Sequence, residues 1–128
     1  MNLPQLALTG CVAVAGAIGA GVRYLLGRFI AERARSSFPF GTLLINSTGA
    51  FLIGLLFACA NRKLIPSSLQ LVLVTGFLGG YTTFSTMSWE GVQLLRGGNT
   101  RHGLQYLGGT LVFGLCAVAL GFVAGRMI

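Results

Sequence analysis

The chain has 128 residues, of which 54% are hydrophobic and 9% are charged, and its formal net charge is +7. Soluble domains carry about 25% charged residues, so this composition excludes an ordinary soluble protein and indicates a membrane protein. With one histidine and two acidic residues, the chain lacks the acids, bases and nucleophiles from which an enzyme active site is commonly assembled.

The basic residues are dispersed, and the longest basic run is Arg62–Lys63. Anionic lipid headgroups are therefore the expected partner of this positive charge, and nucleic acid is not. Cys11, Cys59 and Cys116 lie in different apolar runs without metal-ligand spacing, so we expect reduced cysteines that pack against their neighbours. No domain boundary is visible, and residues 1–128 are expected to form one domain.

Four apolar runs are each long enough to cross a bilayer, which takes about 20 residues. They cover residues 6–29, 41–60, 67–95 and 103–125 and are joined by short connections. The sequence therefore predicts an all-α membrane protein in which four transmembrane helices form one bundle with both termini on the same side. A bundle this small encloses little of its own interior, which favours an oligomer.

The basic residues are divided almost evenly between the two ends of this bundle. Three lie on the side of the termini and five on the opposite side, which is a weak bias under the positive-inside rule. A chain with so little bias can insert in both orientations, and two oppositely oriented copies can form an antiparallel dimer. A single orientation with the first loop in the cytoplasm is the alternative, and charge does not decide between them.

Two polar side chains interrupt the first two runs. Arg23 lies about 9 Å of helix rise before the end of the first run. It either snorkels to the membrane interface or forms a buried cation that biases an anion path. Asn46 lies mid-membrane in the second run, beside Ser47 and Thr48. It either bonds another helix or donates to a passing solute.

The third run contains features that a simple membrane-crossing helix does not need. Gly79–Gly80 weakens the helix, and five hydroxyl side chains follow between residues 82 and 88. Irregular backbone at membrane depth survives only where protein or a water-filled cavity covers it, and hydroxyls can satisfy the freed carbonyls. We therefore expect a break here, at a place where the protein handles something polar.

Pairs of side chains at helical spacing occur in the third and fourth runs. Phe84 and Met87 point the same way if the helix resumes after the break, either as ordinary core or as lining of a path. Tyr106 and Thr110 share a face of the fourth run. Glu90 is expected to pair with Arg96 or Arg101 near the membrane interface, and a proton-coupling role is the alternative.

Three motifs resemble the signatures of the Fluc/CrcB family of fluoride channels. They are GAGVRY at residues 19–24, GTLLINSTGAFLIG at 41–54 and GFLGGYTTFST at 76–86. The resemblance covers all four runs in order. It implies a fluoride-selective channel that exports fluoride passively across the bacterial inner membrane and relieves fluoride toxicity. It also implies an antiparallel, dual-topology homodimer with two pores.

The same resemblance implies roles for individual residues. Asn46 would bond fluoride, Phe84 would present its ring edge to the anion, and Arg23 would lie near the aqueous vestibule. Backbone carbonyls around Gly79 and Thr82 would hold a structural Na⁺ at the dimer interface. The pore residues implied by the family are Asn46, Phe84, Ser85, Thr86, Met87, Tyr106 and Thr110.

This chain departs from the family pattern at Met87, where a second phenylalanine is usual. A thioether is polarizable but lacks the electropositive ring edge. The departure leaves room for a heterodimer with a homologous subunit. A four-helix transporter of the small multidrug-resistance type is a further alternative, but it needs a membrane-embedded acid in the first run, which has Arg23 and neither Asp nor Glu.

Overall fold

The computed structural model describes residues 1–128, which form helices and no strand. Helix α1 covers Leu3–Ala34 and α2 covers Phe40–Asn61. Residues 67–81 form α3, whose segment Leu71–Leu78 is π-helical between two short α-helical ends. Helix α4 covers Phe84–Arg96 and α5 covers Thr100–Met127.

Three helices, α1, α2 and α5, are long and apolar enough to cross a membrane. The predicted third span comprises two shorter helices instead, α3 and α4. Between them Thr82 and Thr83 are extended, with φ/ψ of −79°/157° and −150°/118°. Helix α4 has 13 residues, which at 1.5 Å per residue reach about 20 Å and fall short of the hydrocarbon core of about 30 Å.

The interruption lies slightly later in the chain than the glycine pair suggested. Gly79 and Gly80 are still within helical backbone, and the helix ends at Tyr81. A Cβ at residue 80 would fall on the carbonyl group of Gly16 in α1. Gly80 therefore serves the close approach of α1 and α3, and the change of direction occurs at the two threonines that follow.

Backbone-to-backbone contact at small residues also joins α2 to α5. A Cβ at Gly54 would meet the carbonyl of Val118, and a Cβ at Gly121 would meet the carbonyl of Phe51. In lipid, helices gain little from burying apolar side chains against one another, so such close packing is a main source of association. These glycines set the positions of the helices that surround the break.

Little of the chain is buried by its own fold. Only 16 of 128 residues are buried, which means that lipid or another chain must cover the apolar surface. The small core contains Ile45, Leu78 and Tyr81, and Leu26 of α1 packs against it. The core therefore lies where α1, α2 and α3 meet. Tyr106 in α5 is fully buried as well.

We predict that Gly80→Ala destabilises the protein, because the added methyl overlaps the backbone of α1. Overpacking of this kind costs about 1–3 kcal/mol. Gly10→Ala is the matched control, since nothing lies within 4 Å of a Cβ there. The thermal unfolding midpoint in detergent micelles measures both variants; an unchanged midpoint for Gly80→Ala would contradict the proposed contact.

Candidate functional site

The side-chain amide of Asn46 holds the interruption between α3 and α4. Its Nδ2 donates to the carbonyl oxygen of Thr83 at 2.9 Å, and its Oδ1 accepts from the Thr83 backbone N–H at 2.8 Å. The amide thus replaces helical hydrogen bonds that the extended residue cannot make. A primary amide has two N–H donors, so one N–H of Asn46 is not used by Thr83.

Hydroxyl groups complete the hydrogen bonding at the start of α4. The Thr83 Oγ1 accepts from the backbone N–H of Thr86 at 3.2 Å and donates to the Thr86 Oγ1 at 3.0 Å. This is an N-cap, which satisfies one of the free donors at a helix start. On the other side of the interruption, the Thr82 Oγ1 donates to the carbonyl of Leu78 at 2.9 Å.

The interruption also frees backbone carbonyls. Thr83 gives its N–H to Asn46, and no amide beyond the end of α3 donates to the carbonyls of Gly79, Gly80 or Tyr81. Gly79 is exposed on the surface of the chain. Carbonyls at the C-terminal end of a broken helix are groups that coordinate Na⁺ in other membrane proteins, so the chemistry of this donor set fits a monovalent cation.

A cavity of about 440 Å³, the polar cavity, lies beside the interruption between α1, the connection to α2, α2 and α4. Its polar lining includes Arg23, Arg28, Thr42, Thr83, Thr86 and Glu90. Arg23 makes neither an ion pair nor a hydrogen bond within the chain, so its positive charge is free to attract an anion.

Glu90 is held by two hydroxyl groups from neighbouring helices. Thr42 Oγ1 donates to Oε1 at 3.0 Å and Tyr106 OH donates to Oε2 at 2.7 Å. The predicted pairing with Arg96 or Arg101 is therefore wrong. Both arginines are exposed, whereas the Glu90 carboxylate is turned inward between α2 and α5, where hydroxyls satisfy it. The only ion pair in the chain joins Arg28 to Glu32.

The structure brings some of the predicted site residues together. Arg23 and Thr86 both line the polar cavity. Asn46 is hydrogen-bonded to Thr83 and Tyr106 is hydrogen-bonded to Glu90. Thr83 and Glu90 both line the cavity. One cluster therefore contains the half-buried cation Arg23, the amide of Asn46 and two of the predicted hydroxyls.

Other predicted residues lie outside this cavity. The Phe84 side chain is 79% exposed, Ser85 is exposed and Met87 is half-buried. Thr110 is on α5, and its Oγ1 is buried without a hydrogen-bond partner. A single chain thus presents Phe84 at its surface and leaves the Thr110 hydroxyl with an unused donor.

Sequence analysis did not select Thr42 or Glu90 as site residues. Helical spacing could have indicated both residues, because Thr42 lies four residues before Asn46 and Glu90 lies four residues after Thr86. Residues four apart share a helix face. The contact of Phe38 with Tyr106, with ring centroids 5.7 Å apart, had no such signal because Phe38 lies in a connection.

Known proteins resemble most of this chain. Residues 10–122 match the family model described as CrcB-like protein, Camphor Resistance (CrcB). The fluoride-specific ion channel FluC of Hydrogenobaculum sp. is 46% identical over 118 residues, which cover 91% of this chain and 96% of the relative. FluC of Aquifex aeolicus is 45% identical over 118 residues, covering 91% and 95%. FluC 2 of Moorella thermoacetica is 42% identical over 115 residues, covering 90% and 91%.

We predict that Asn46→Asp destabilises the fold, although the two side chains have the same shape. A carboxylate cannot donate to the Thr83 carbonyl and would place negative charge beside it. Leaving a buried polar group without its partner costs about 1–3 kcal/mol. The thermal unfolding midpoint in micelles should fall. Ser47→Ala, which removes no hydrogen bond from the interruption, should leave the midpoint unchanged; an equal fall in both variants would remove Asn46 from its structural role.

Proposed function

This chain belongs to the CrcB-like family, and from that premise we propose that it is a fluoride-selective channel through which the anion leaves the cell passively. The family resemblance predicted from three sequence motifs is confirmed by the family match and by relatives named as fluoride-specific ion channels. The protein is a membrane protein and an ion channel, not an enzyme.

The observation that carries this proposal is the group of neutral donors at the interruption. Fluoride is small and strongly hydrated, so a pore must replace its water with dense hydrogen-bond donors. Asn46 retains one N–H that Thr83 does not use. Thr86 lines the polar cavity, and its hydroxyl accepts from Thr83 and keeps its own proton for donation. Neutral donors bind an anion firmly enough to admit it and weakly enough to release it.

Arg23 would supply the electrostatic attraction at the entrance. It lines the polar cavity without a counter-charge of its own. A cavity walled by low-dielectric protein concentrates the field of such a charge and raises the local anion concentration. We therefore assign Arg23 to capture of fluoride from water, and Asn46 with its hydroxyl neighbours to the dehydrated part of the path.

The remaining predicted pore residues fit a path shared with a second chain. Phe84 is largely exposed, so its ring edge would meet fluoride only where another subunit closes the path. Ser85 and Met87 lie on the same short helix, and the thioether of Met87 would take the place of a second ring edge. The unpartnered hydroxyl of Thr110 would donate to the anion farther along, on the helix that also carries Tyr106.

A second copy would also cover the freed backbone. Gly79 and Phe84 are exposed on the single chain, and unsatisfied carbonyls in hydrocarbon cost several kcal/mol each, roughly. An antiparallel homodimer, or a dimer with a homologous subunit, would bury this surface at membrane mid-depth. The carbonyls of Gly79 and Thr82 would then hold a Na⁺ between the subunits, where it would stabilise their association.

The proposed site of action is the bacterial inner membrane. Hydrogen fluoride diffuses into an acidified cell and dissociates at the higher internal pH. The anion then leaves through the channel down its gradient, which relieves toxicity without energy input. The transporter alternative is disfavoured because the only acid of α1 is Glu32, which lies exposed near its end and is paired with Arg28.

We predict that the purified protein in liposomes releases fluoride down its gradient but not chloride. A fluoride electrode outside the vesicles records the efflux after a potassium ionophore is added to remove the opposing voltage. Arg23→Gln should slow the efflux at low fluoride, because the free cation of the polar cavity is lost. Absence of fluoride release at any protein density would refute the proposed function.

Chemical crosslinking in the same vesicles is the control for the proposed assembly. A species of two chains is expected under conditions in which efflux is observed. Efflux from vesicles that contain only single chains would contradict the dimer without contradicting the channel.

A further inference from the structure

The formal charges at and beside the polar cavity cancel. Arg23, Arg28 and Glu90 line it, and Glu32 lies one helical turn beyond Arg28 on α1. Two arginines and two glutamates are therefore found where, in the proposed function, an anion enters. A carboxylate at such a place lowers the local concentration of fluoride, so its presence needs an explanation.

Glu90 has a structural explanation and Glu32 does not. The Glu90 carboxylate accepts hydrogen bonds from Thr42 and Tyr106 and so joins three helices. Glu32 contacts one group only, the Nε of Arg28, at 2.8 Å. Both side chains of this pair are more than 60% exposed, with values of 65% and 63%. Exposed ion pairs contribute little to stability, which leaves the electric field as the effect of Glu32.

The other basic residues at this end of α1 do not line the polar cavity. The Arg33 guanidinium lies over the ring of Phe29, 4.6 Å from its centroid. Arg35 occupies the left-handed C-cap position of α1, with φ of 45°. Arg28 is therefore the one cation lining the cavity whose charge is opposed by a direct partner, and Arg23 is the one whose charge is not.

We propose that Glu32 sets the strength of fluoride capture by neutralising Arg28 at the mouth of the polar cavity. The inference rests on the proposed fluoride channel and adds a residue to it: Glu32 is a positioning residue that acts through Arg28 and does not touch the anion. Its removal frees a second cation at the entrance. Neutralising both members of the pair restores the original charge.

The expected effect is modest and depends on salt. One unit charge at about 10 Å in water changes the local concentration of an anion about twofold. The screening length is about 30 Å at 0.01 M ionic strength and about 3 Å at 1 M. A field effect of Glu32 should therefore be seen at low ionic strength and should disappear at high ionic strength, whereas a change in folding would persist.

The test compares Glu32→Gln, Arg28→Gln and the double variant with the unaltered protein in liposomes. Initial fluoride efflux is measured at subsaturating and saturating fluoride, in low and high concentrations of a salt whose anion does not permeate. At low salt and subsaturating fluoride, we expect Glu32→Gln to raise efflux about twofold, Arg28→Gln to lower it about twofold, and the double variant to match the unaltered protein. Glu32→Asp keeps the charge and should change nothing.

Several results would overturn the inference. Glu32→Gln could leave subsaturating efflux unchanged, could change efflux equally at saturating fluoride, or could act equally in high salt; each outcome excludes a field effect on capture. A double variant that resembles either single variant would show that the two residues do not act as a pair. Failure of the unaltered protein to conduct would instead refute the proposed function on which the inference rests.

Discussion

The requirement that backbone polar groups be satisfied inside a membrane controls this structure. Two extended residues, Thr82 and Thr83, interrupt what would otherwise be a continuous membrane-crossing helix. The amide of Asn46 compensates by bonding both the N–H and the carbonyl of Thr83. Without that compensation, the N–H and the carbonyl of Thr83 would both be unpaired, and each is expensive in hydrocarbon. The interruption can exist only because α2 supplies this side chain.

The same arrangement creates the candidate functional site. An uninterrupted helix consumes its own donors and acceptors, whereas the interruption places Thr83 and Thr86 in the wall of the polar cavity and leaves one N–H of Asn46 that Thr83 does not use. Close packing at glycines holds the surrounding helices in place, since α1 approaches α3 at Gly16 and Gly80. Arg23, Arg28 and Glu90 then give the cavity its charges. The glycine contacts, the hydrogen bonds of the interruption and the charges of the polar cavity therefore lie in the same part of the bundle.

Much of this was accessible from the sequence. Composition and the apolar runs predicted helices that cross a membrane, and the family motifs identified the relatives. Asn46 was singled out from the sequence, but its partner, the backbone of Thr83, is one that no spacing reveals, and its role toward a solute stays a prediction. The interruption falls at Thr82 and Thr83, just after the glycine pair, whereas Gly80 stays helical and packs against α1. A glycine in an apolar run indicates close packing as well as flexibility, so the sequence did not give the exact residues. The predicted pairing of Glu90 with Arg96 or Arg101 was wrong because proximity along the chain does not show in which direction a carboxylate points.

Backbone conformation in lipid tests the central claim most directly. Solid-state NMR of the isotopically labelled protein in bilayers reports the conformation of each residue through its Cα and carbonyl chemical shifts. Extended shifts at Thr82 and Thr83 between helical neighbours, with a through-space correlation from the Asn46 Nδ2 to the Thr83 carbonyl, are the predicted result. Helical shifts from Gly79 through Ser88 without interruption would contradict the account.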